Sequence, residues 1–283
     1  MDSLSTFTGN VDHVANGVGL RNKGAGTIRL RGAPATASPV AAILYFGFIC
    51  ETSTCPDVVP VSLMAESTGA IAKLDGIRIG SAPQPCWSGT TYGAYSVNVP
   101  LSLMSRINDD YEVDGVPSSV KDGSDPWINP GSPPLAEGAS LVVVYSDQSI
   151  SAPSVVYVND GAMMFSSTVD IVNPVSPPLF GTMRKLTSIG ADGQVGFNST
   201  FAEPGISGEK TFIGPTSDSL TQIAGPGSTQ DQDSDWNGND GRPLNQLWDT
   251  SSHSFFNILP GGSTSYTVRY ESLGDCIGGR PMC

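Results

Sequence analysis

Apolar and polar positions alternate over short stretches along most of the chain, and each stretch ends at glycine, proline, aspartate or asparagine. That is the pattern of strands with one face in a core, separated by turns. Residues 26–31 place Ile28 and Leu30 on one face and Arg29 and Arg31 on the other. Residues 40–49 are almost continuously apolar, which predicts a strand covered on both faces. Residues 141–145 and 155–158 are β-branched and aromatic and carry the strongest strand signal, and residues 263–270 alternate with period two. Further strands are expected over 92–99, 109–113, 162–165, 169–172, 183–190 and 195–201. Residues 71–79 read as a hairpin turning at Asp75-Gly76, since Asp-Gly between apolar neighbours favours a tight turn. Residues 101–106 read as a single helical turn, 116–135 as a long surface loop, and 217–249 as a polar, acidic stretch. No repeat of solenoid period occurs.

Amphipathic antiparallel strands must bury one face against another sheet, so the expected fold is all-β: an antiparallel, jelly-roll-like β-sandwich with long loops and little helix. Composition barely shifts along the 283 residues, which predicts one domain over 1–283, or two subdomains meeting near 174–178. The 33 glycines and 22 prolines exclude long helices and coiled coils. Hydrophobic content of 39% is modest, but only 14% of residues are charged, and disorder needs low hydrophobicity together with dense charge.

A formal charge of −13, with basic residues scattered, leaves no stripe for phosphate backbones or anionic membranes, so nucleic acid is not an expected partner. The apolar run at 40–49 is about half the length of a helical membrane span and Gly47 interrupts it, so membrane insertion is not expected. No basic-then-apolar leader follows Met1, and a signal peptide is therefore read as absent or removed. Five cysteines occur, with Cys50 close to Cys55, Cys276 close to Cys283, and Cys86 left over. No C-x-x-C spacing is present and the chain has two histidines, which disfavours a structural zinc site. Two local disulfides and an oxidising compartment, extracellular or at a cell surface, are the preferred reading; five buried thiols are the alternative.

The sharpest chemical signal lies at 231–241. Asp233, Asp235, Asn237 and Gly238 satisfy D-x-D-x-N-G, the opening of a calcium loop, in which alternate side-chain oxygens converge on a hard cation and glycine allows the sharp turn. The twelfth position from Asp233 is Leu244 rather than a bidentate glutamate, so this is no EF-hand. The remaining carboxylate is expected from Asp231, Asp240 or Asp249, with Asn239 as a further oxygen donor. The competing reading is a solvated acidic loop. Trp236 and Trp248 lie nearest that loop and are candidates for stacking on a sugar face, Trp248 with a core position as its alternative.

Covalent hydrolysis finds little support. No G-x-S-x-G elbow occurs, and His13 and His253 are the only histidines available as general base, both read more readily as bystanders. Paired carboxylates for glycan cleavage would come from Glu112, Glu137, Glu203, Glu209 or Glu271. Residues 198–200 form an N-glycosylation sequon.

The order of several motifs carries a family resemblance. Residues 16–28 (NGVGLRNKGAGTI), 42–47 (AILYFG), 138–145 (GASLVVVY), 158–161 (VNDG), 190–194 (GADGQ), 247–249 (LWD) and 274–276 (GDC) resemble an uncharacterised secreted domain of bacterial and archaeal cell-surface proteins. That resemblance implies an exported β-sandwich without established catalysis. The chain departs from the pattern after Cys276, where an apolar closing strand is expected and 277–283 reads IGGRPMC. The resulting expectation is a secreted, calcium-stabilised binding or adhesion module for a glycan or surface polymer. Two alternatives stand beside it: a self-associating subunit of an extracellular fibre or coat, accepting a strand from a neighbour, and a carboxylate-dependent glycan hydrolase or lyase.

Overall fold

The computed structural model describes residues 3–83, 91–126, 128–165, 168–175, 185–191, 209–230, 248–255, 257–271 and 277–282. From the N-terminus the strands are β1 (Ser3–Gly9), β2 (Val11–Gly19), β3 (Gly26–Arg29), β4 (Ser38–Cys50), β5 (Val58–Ala65) and β6 (Ala70–Pro83). They continue with β7 (Thr91–Asn98), β8 (Asp110–Asp114), β9 (Leu135–Ser146), β10 (Ser154–Asp160), β11 (Met163–Phe165) and β12 (Val169–Pro174). The last six are β13 (Lys185–Ala191), β14 (Lys210–Thr216), β15 (Ser219–Ala224), β16 (Trp248–Ser254), β17 (Ser265–Glu271) and β18 (Ile277–Met282). A single 3-10 turn at Leu101–Met104 is the only helical element among the described residues, and every ladder there is antiparallel. The all-β, antiparallel class is as the sequence predicts.

Eight strands form one large sheet in the order β2-β9-β4-β7-β6-β5-β8-β3. Its two edge strands approach each other, and Asn16 Nδ2 donates to the Arg29 carbonyl across that gap (2.7 Å). The sheet therefore curls around one inner core, to which every strand contributes: Val14, Ile28, Leu44, Val61, Leu74, Tyr95, Val113 and Leu141 among others. Phe46 and Phe48 both stack on Tyr95, with ring centroids 5.1 and 5.2 Å apart.

The outer face of the same sheet is treated differently along its width. Over β2, β9, β4 and β7 it packs on a second layer, where Val11, Ile43, Tyr45, Ala94, Val142 and Val144 meet Val156, Val158, Ile189 and Trp248. This is why β4 from Ala42 onward and β9 are buried almost without interruption, while β5, one strand beyond β6, alternates between buried and more exposed positions. The second layer holds β10, β13 and β16 and is itself two-faced. Its opposite face, through Tyr157, Leu186 and Phe255, joins Ile171, Ile213, Tyr266 and Val268 of a four-stranded sheet ordered β12-β17-β14-β15. The sheets thus stack face to face, each inter-sheet space filled by alternate side chains.

Several expectations need correction. Asp75-Gly76 is not a turn: β6 runs straight through it, and the hairpin closes at 66–69, where Gly69 takes φ +68°. A Cβ on Gly76 would sit 2.3 Å from the Phe46 ring, so this glycine serves a close approach in the core rather than a bend. Part of the polar stretch 217–249 is strand β15, which borrows its order from the ladder with β14. The closing strand is present: Ile277–Met282 forms β18, seated between β11 and β13. Cys50 and Cys55 are disulfide-bonded, five residues apart, as the spacing suggested. Their loop is anchored by Tyr95, whose hydroxyl donates to the Pro56 carbonyl (2.7 Å). Cys86, Cys276 and Cys283 lie outside the described residues.

At one end of the large sheet the turn after β2 enters the inner core. The Arg21 guanidinium pairs there with the Glu137 carboxylate, and both side chains are fully buried. Asn22 follows in the left-handed region (φ +58°), and its Nδ2 donates to the Asn129 carbonyl (2.7 Å) of the loop predicted over 116–135. The loop thereby covers the end of the core.

Candidate functional site

Of the residues selected for a cation, Asp231, Asp233, Asp235, Asn237, Asn239 and Asp240 lie outside the described residues, as does Trp236. Asp249 and Trp248 are described, and they open β16 directly after that segment. Alternation along β16 sends them to opposite faces. Trp248 packs against the large sheet, and its indole Nε1 donates to Ser140 Oγ (2.8 Å). Its ring lies over Gly138, where a Cβ would come within 2.2 Å of Trp248 Cγ. At 2% exposure the ring offers no face to a sugar, and its position matches the core alternative. Asp249 is buried on the other face, towards the sheet containing β17. Among the described residues no group of three or more His, Cys, Asp or Glu side chains is arranged to hold a metal.

The described structure instead assembles a polar seam between the large sheet and the second layer. On β16, Thr250 and Ser252 share Trp248's face; on β13, Lys185 and Thr187 share the face of Ile189. Ser140 Oγ and Thr250 Oγ1 lie 2.7 Å apart, and Thr187 Oγ1 lies 2.7 Å from Ser252 Oγ. His13 Nε2 hydrogen-bonds Thr187 Oγ1 at 2.8 Å. Lys185 Nζ donates to Asp12 Oδ1 (2.9 Å) and to the His13 carbonyl (2.5 Å), so it covers a polar group of β2, the edge strand of its sheet.

In outline, Asp12, His13 and Thr187 have the composition of an acid–base–hydroxyl set. The geometry differs. His13 Nδ1 is 3.5 Å from Asp12 Oδ1, beyond a good hydrogen bond, and Thr187 is 1% exposed between two sheets, where a substrate has no approach. The arrangement stitches layers together.

Its electrostatics follow from burial. Desolvation, with the Lys185 charge acting in the same direction, pushes the His13 imidazole down to about 4, against the weaker pull of Asp12. Burial raises the Asp12 carboxyl, but Lys185's charge and hydrogen bond, with the His13 amide, carry it below its ordinary value. His13 is therefore neutral at pH 7 in the fold, whereas in the unfolded chain it titrates near 6.5. Because the unfolded chain binds the extra proton, its contribution to stability is complete above pH 6.5 and declines as pH falls towards about 4. At about 1.4 kcal/mol per pH unit, the loss across that window is on the order of 3 kcal/mol. Asp12 adds a further loss below 3.8. Denaturation midpoints measured from about pH 7.5 to 4.5 should fall in the native chain and change less in His13→Gln, which keeps a donor for Thr187. Parallel profiles would remove His13 as the cause.

The glutamates proposed for glycan cleavage are dispersed. Glu137 is sealed in its ion pair, Glu209 is buried beside β14, Glu112 is on β8, Glu271 is opposite Lys210 at the end of β17, and Glu203 lies outside the described residues. His253 is buried on β16. Sequence reading missed Asp12, Lys185, Thr187 and Ser252. The alternation Lys-Leu-Thr-Ser-Ile along β13 was the available signal, since it puts Lys185 and Thr187 on the face of Ile189.

No family model matches the chain, and no curated protein matches it. Among solved structures, domains LG4-5 of the mouse laminin alpha1 chain align at 12% identity over 93% of this chain and 76% of that one. The TM-score is 0.17, which carries no weight for fold or ligand.

Proposed function

We propose that this chain is an exported, calcium-stabilised binding or adhesion module directed at a glycan or surface polymer, working outside the cell or at its surface. The observation that carries the reading is the D-x-D-x-N-G run at Asp233–Gly238, which leads into the buried start of β16. A cation held by Asp231, Asp233, Asp235, Asn237, Asn239 or Asp240, with or without Asp249, would then be tied to a rigid layer. Support for export comes from the Cys50–Cys55 disulfide, since such bonds persist in oxidising compartments, and from the resemblance to cell-surface domains. Recognition of the polymer would fall to loops carried on the stacked sheets.

Thermal melting with calcium or with a chelator tests the cation. A site filled at about 100 times its dissociation constant adds roughly 3 kcal/mol, which for a chain of this size raises the melting temperature by roughly 5 °C or more. Asp233→Ala and Asp235→Ala should abolish that rise. Equal melting in calcium and chelator would refute the calcium assignment, and a glycan array showing no binding in calcium would refute the ligand class. The alternative of an assembly subunit loses its original motive, because β18 occupies the place between β11 and β13.

A further inference from the structure

The outer face of the large sheet is covered over β2, β9, β4 and β7, and over the end of β6, where Ala162 lies against Gly80; it is open over β5 and the Ala70–Ile77 part of β6. There the outward side chains form cross-strand pairs: Val58 with Ile77, Pro60 with Asp75, Ser62 with Lys73, and Met64 with Ile71. Three of these are large apolar residues standing in solvent, Ile71 at 63%, Ile77 at 51% and Val58 at 48% exposure. Their inward neighbours Val59, Val61, Leu63 and Leu74 fill the inner core, so the hairpin is held rigidly from behind.

Along β6 the outward row reads Ile71, Lys73, Asp75, Ile77. Reversed and laid upon itself, the row is complementary at every position: isoleucine meets isoleucine at both ends, and lysine meets aspartate twice in the middle. On β5 the same operation sets Val58 against Met64. A two-fold axis lying between two copies, across the strands, performs this operation, and an isologous interface requires such self-complementarity. Among the described residues neither Lys73 nor Asp75 has an ion-pair partner within the chain. Glu112 and Asp114 of β8 flank the strip on the side of β5.

We propose that the β5–β6 face is a self-association surface whose partner is a second copy of this chain, with Lys73 of each copy opposite Asp75 of the other. The strip is about 20 Å long and two strands wide, so it buries far less than the roughly 800 Å² per partner of a stable complex. The dimer is accordingly weak, with a dissociation constant on the order of 100 µM. A formal charge of −13 on each copy opposes association at low salt, whereas about 0.15 M salt screens that long-range repulsion and leaves the contact pairs. This inference does not depend on the calcium or glycan reading.

Charge exchange tests it by sedimentation velocity on the full chain, from about 10 µM to 1 mM in about 0.15 M salt. The native chain should show a rising sedimentation coefficient. Asp75→Lys places lysine against lysine and Lys73→Asp places aspartate against aspartate, so each alone should weaken association about tenfold or more. An equimolar mixture of the two variants, and the double variant Lys73→Asp/Asp75→Lys, should both recover it. Both positions are exposed, and unchanged melting would verify the fold of each variant. A native chain that stays monomeric at 1 mM overturns the proposal, as do single variants that associate like the native chain or a mixture that fails to recover.

Discussion

Glu137→Leu alone is expected to lower the free energy of unfolding by about 3–5 kcal/mol, because it leaves the Arg21 guanidinium charged inside the inner core. Both side chains of this pair are fully buried, so neither has water to fall back on. The carboxylate supplies the counter-charge that makes burying the cation tolerable, and the substitution removes that counter-charge. Arg21→Met should cost a similar amount by stranding the carboxylate. The combined variant Arg21→Met/Glu137→Leu removes both charges and fills comparable space, so it should lie within about 1–2 kcal/mol of the native chain. Urea denaturation measures all three. Should a single variant fail to accumulate as folded protein, recovery of folded protein in the double variant gives the same answer. A double variant no more stable than the singles would mean that the pair holds the Arg21 turn through geometry that leucine and methionine cannot reproduce.

Trp248→Ala is the second large effect, about 3–5 kcal/mol, from the cavity left between the large sheet and the second layer and from the lost hydrogen bond to Ser140. Gly138→Ala should destabilise through the same contact from the other side, because the added methyl has backbone on one side and the indole on the other. The two substitutions are coupled. In a Trp248→Leu background the Gly138→Ala change should cost less than in the native chain, and a double-mutant cycle in denaturant reads the difference. If Trp248 were a sugar platform, Trp248→Ala would weaken binding and leave stability untouched, and that outcome would reverse its placement in the core.

The alternation that made residues 26–31 and 263–270 legible as strands is local: the side chains' own polarity reports which face is wet. The continuous run at 40–49 was legible for the same reason, and β4 is indeed sealed on both sides over Ala42–Cys50. The turn residues were less transparent. Asp75-Gly76 has the composition of a hairpin turn, yet its glycine answers to the Phe46 ring, thirty positions earlier in the chain. Ile277-Gly-Gly-Arg-Pro-Met has no strand period at all, and its order is imposed by ladders from β11 and β13. The acidic run at 231–241 was legible, as a calcium-loop candidate, because a loop of that kind sets its oxygens at alternate positions of one short segment. The seam of Asp12, His13, Lys185, Thr187 and Ser252 was not, because its members come from strands far apart in the chain.

The sequence by itself determined that the chain is all-β and antiparallel and that Cys50 and Cys55 stand close enough to bond. These follow from periodicity, from glycine and proline content and from short-range spacing, all properties of neighbouring residues. Only the tertiary structure decided which strands are covered twice, that Arg21 meets Glu137, that Trp248 is core, and that Ile71, Lys73, Asp75 and Ile77 stand open on one face. Those outcomes depend on which distant segments share a boundary, and the free energy of burying a charge, a ring or an apolar row is set by what lies across that boundary.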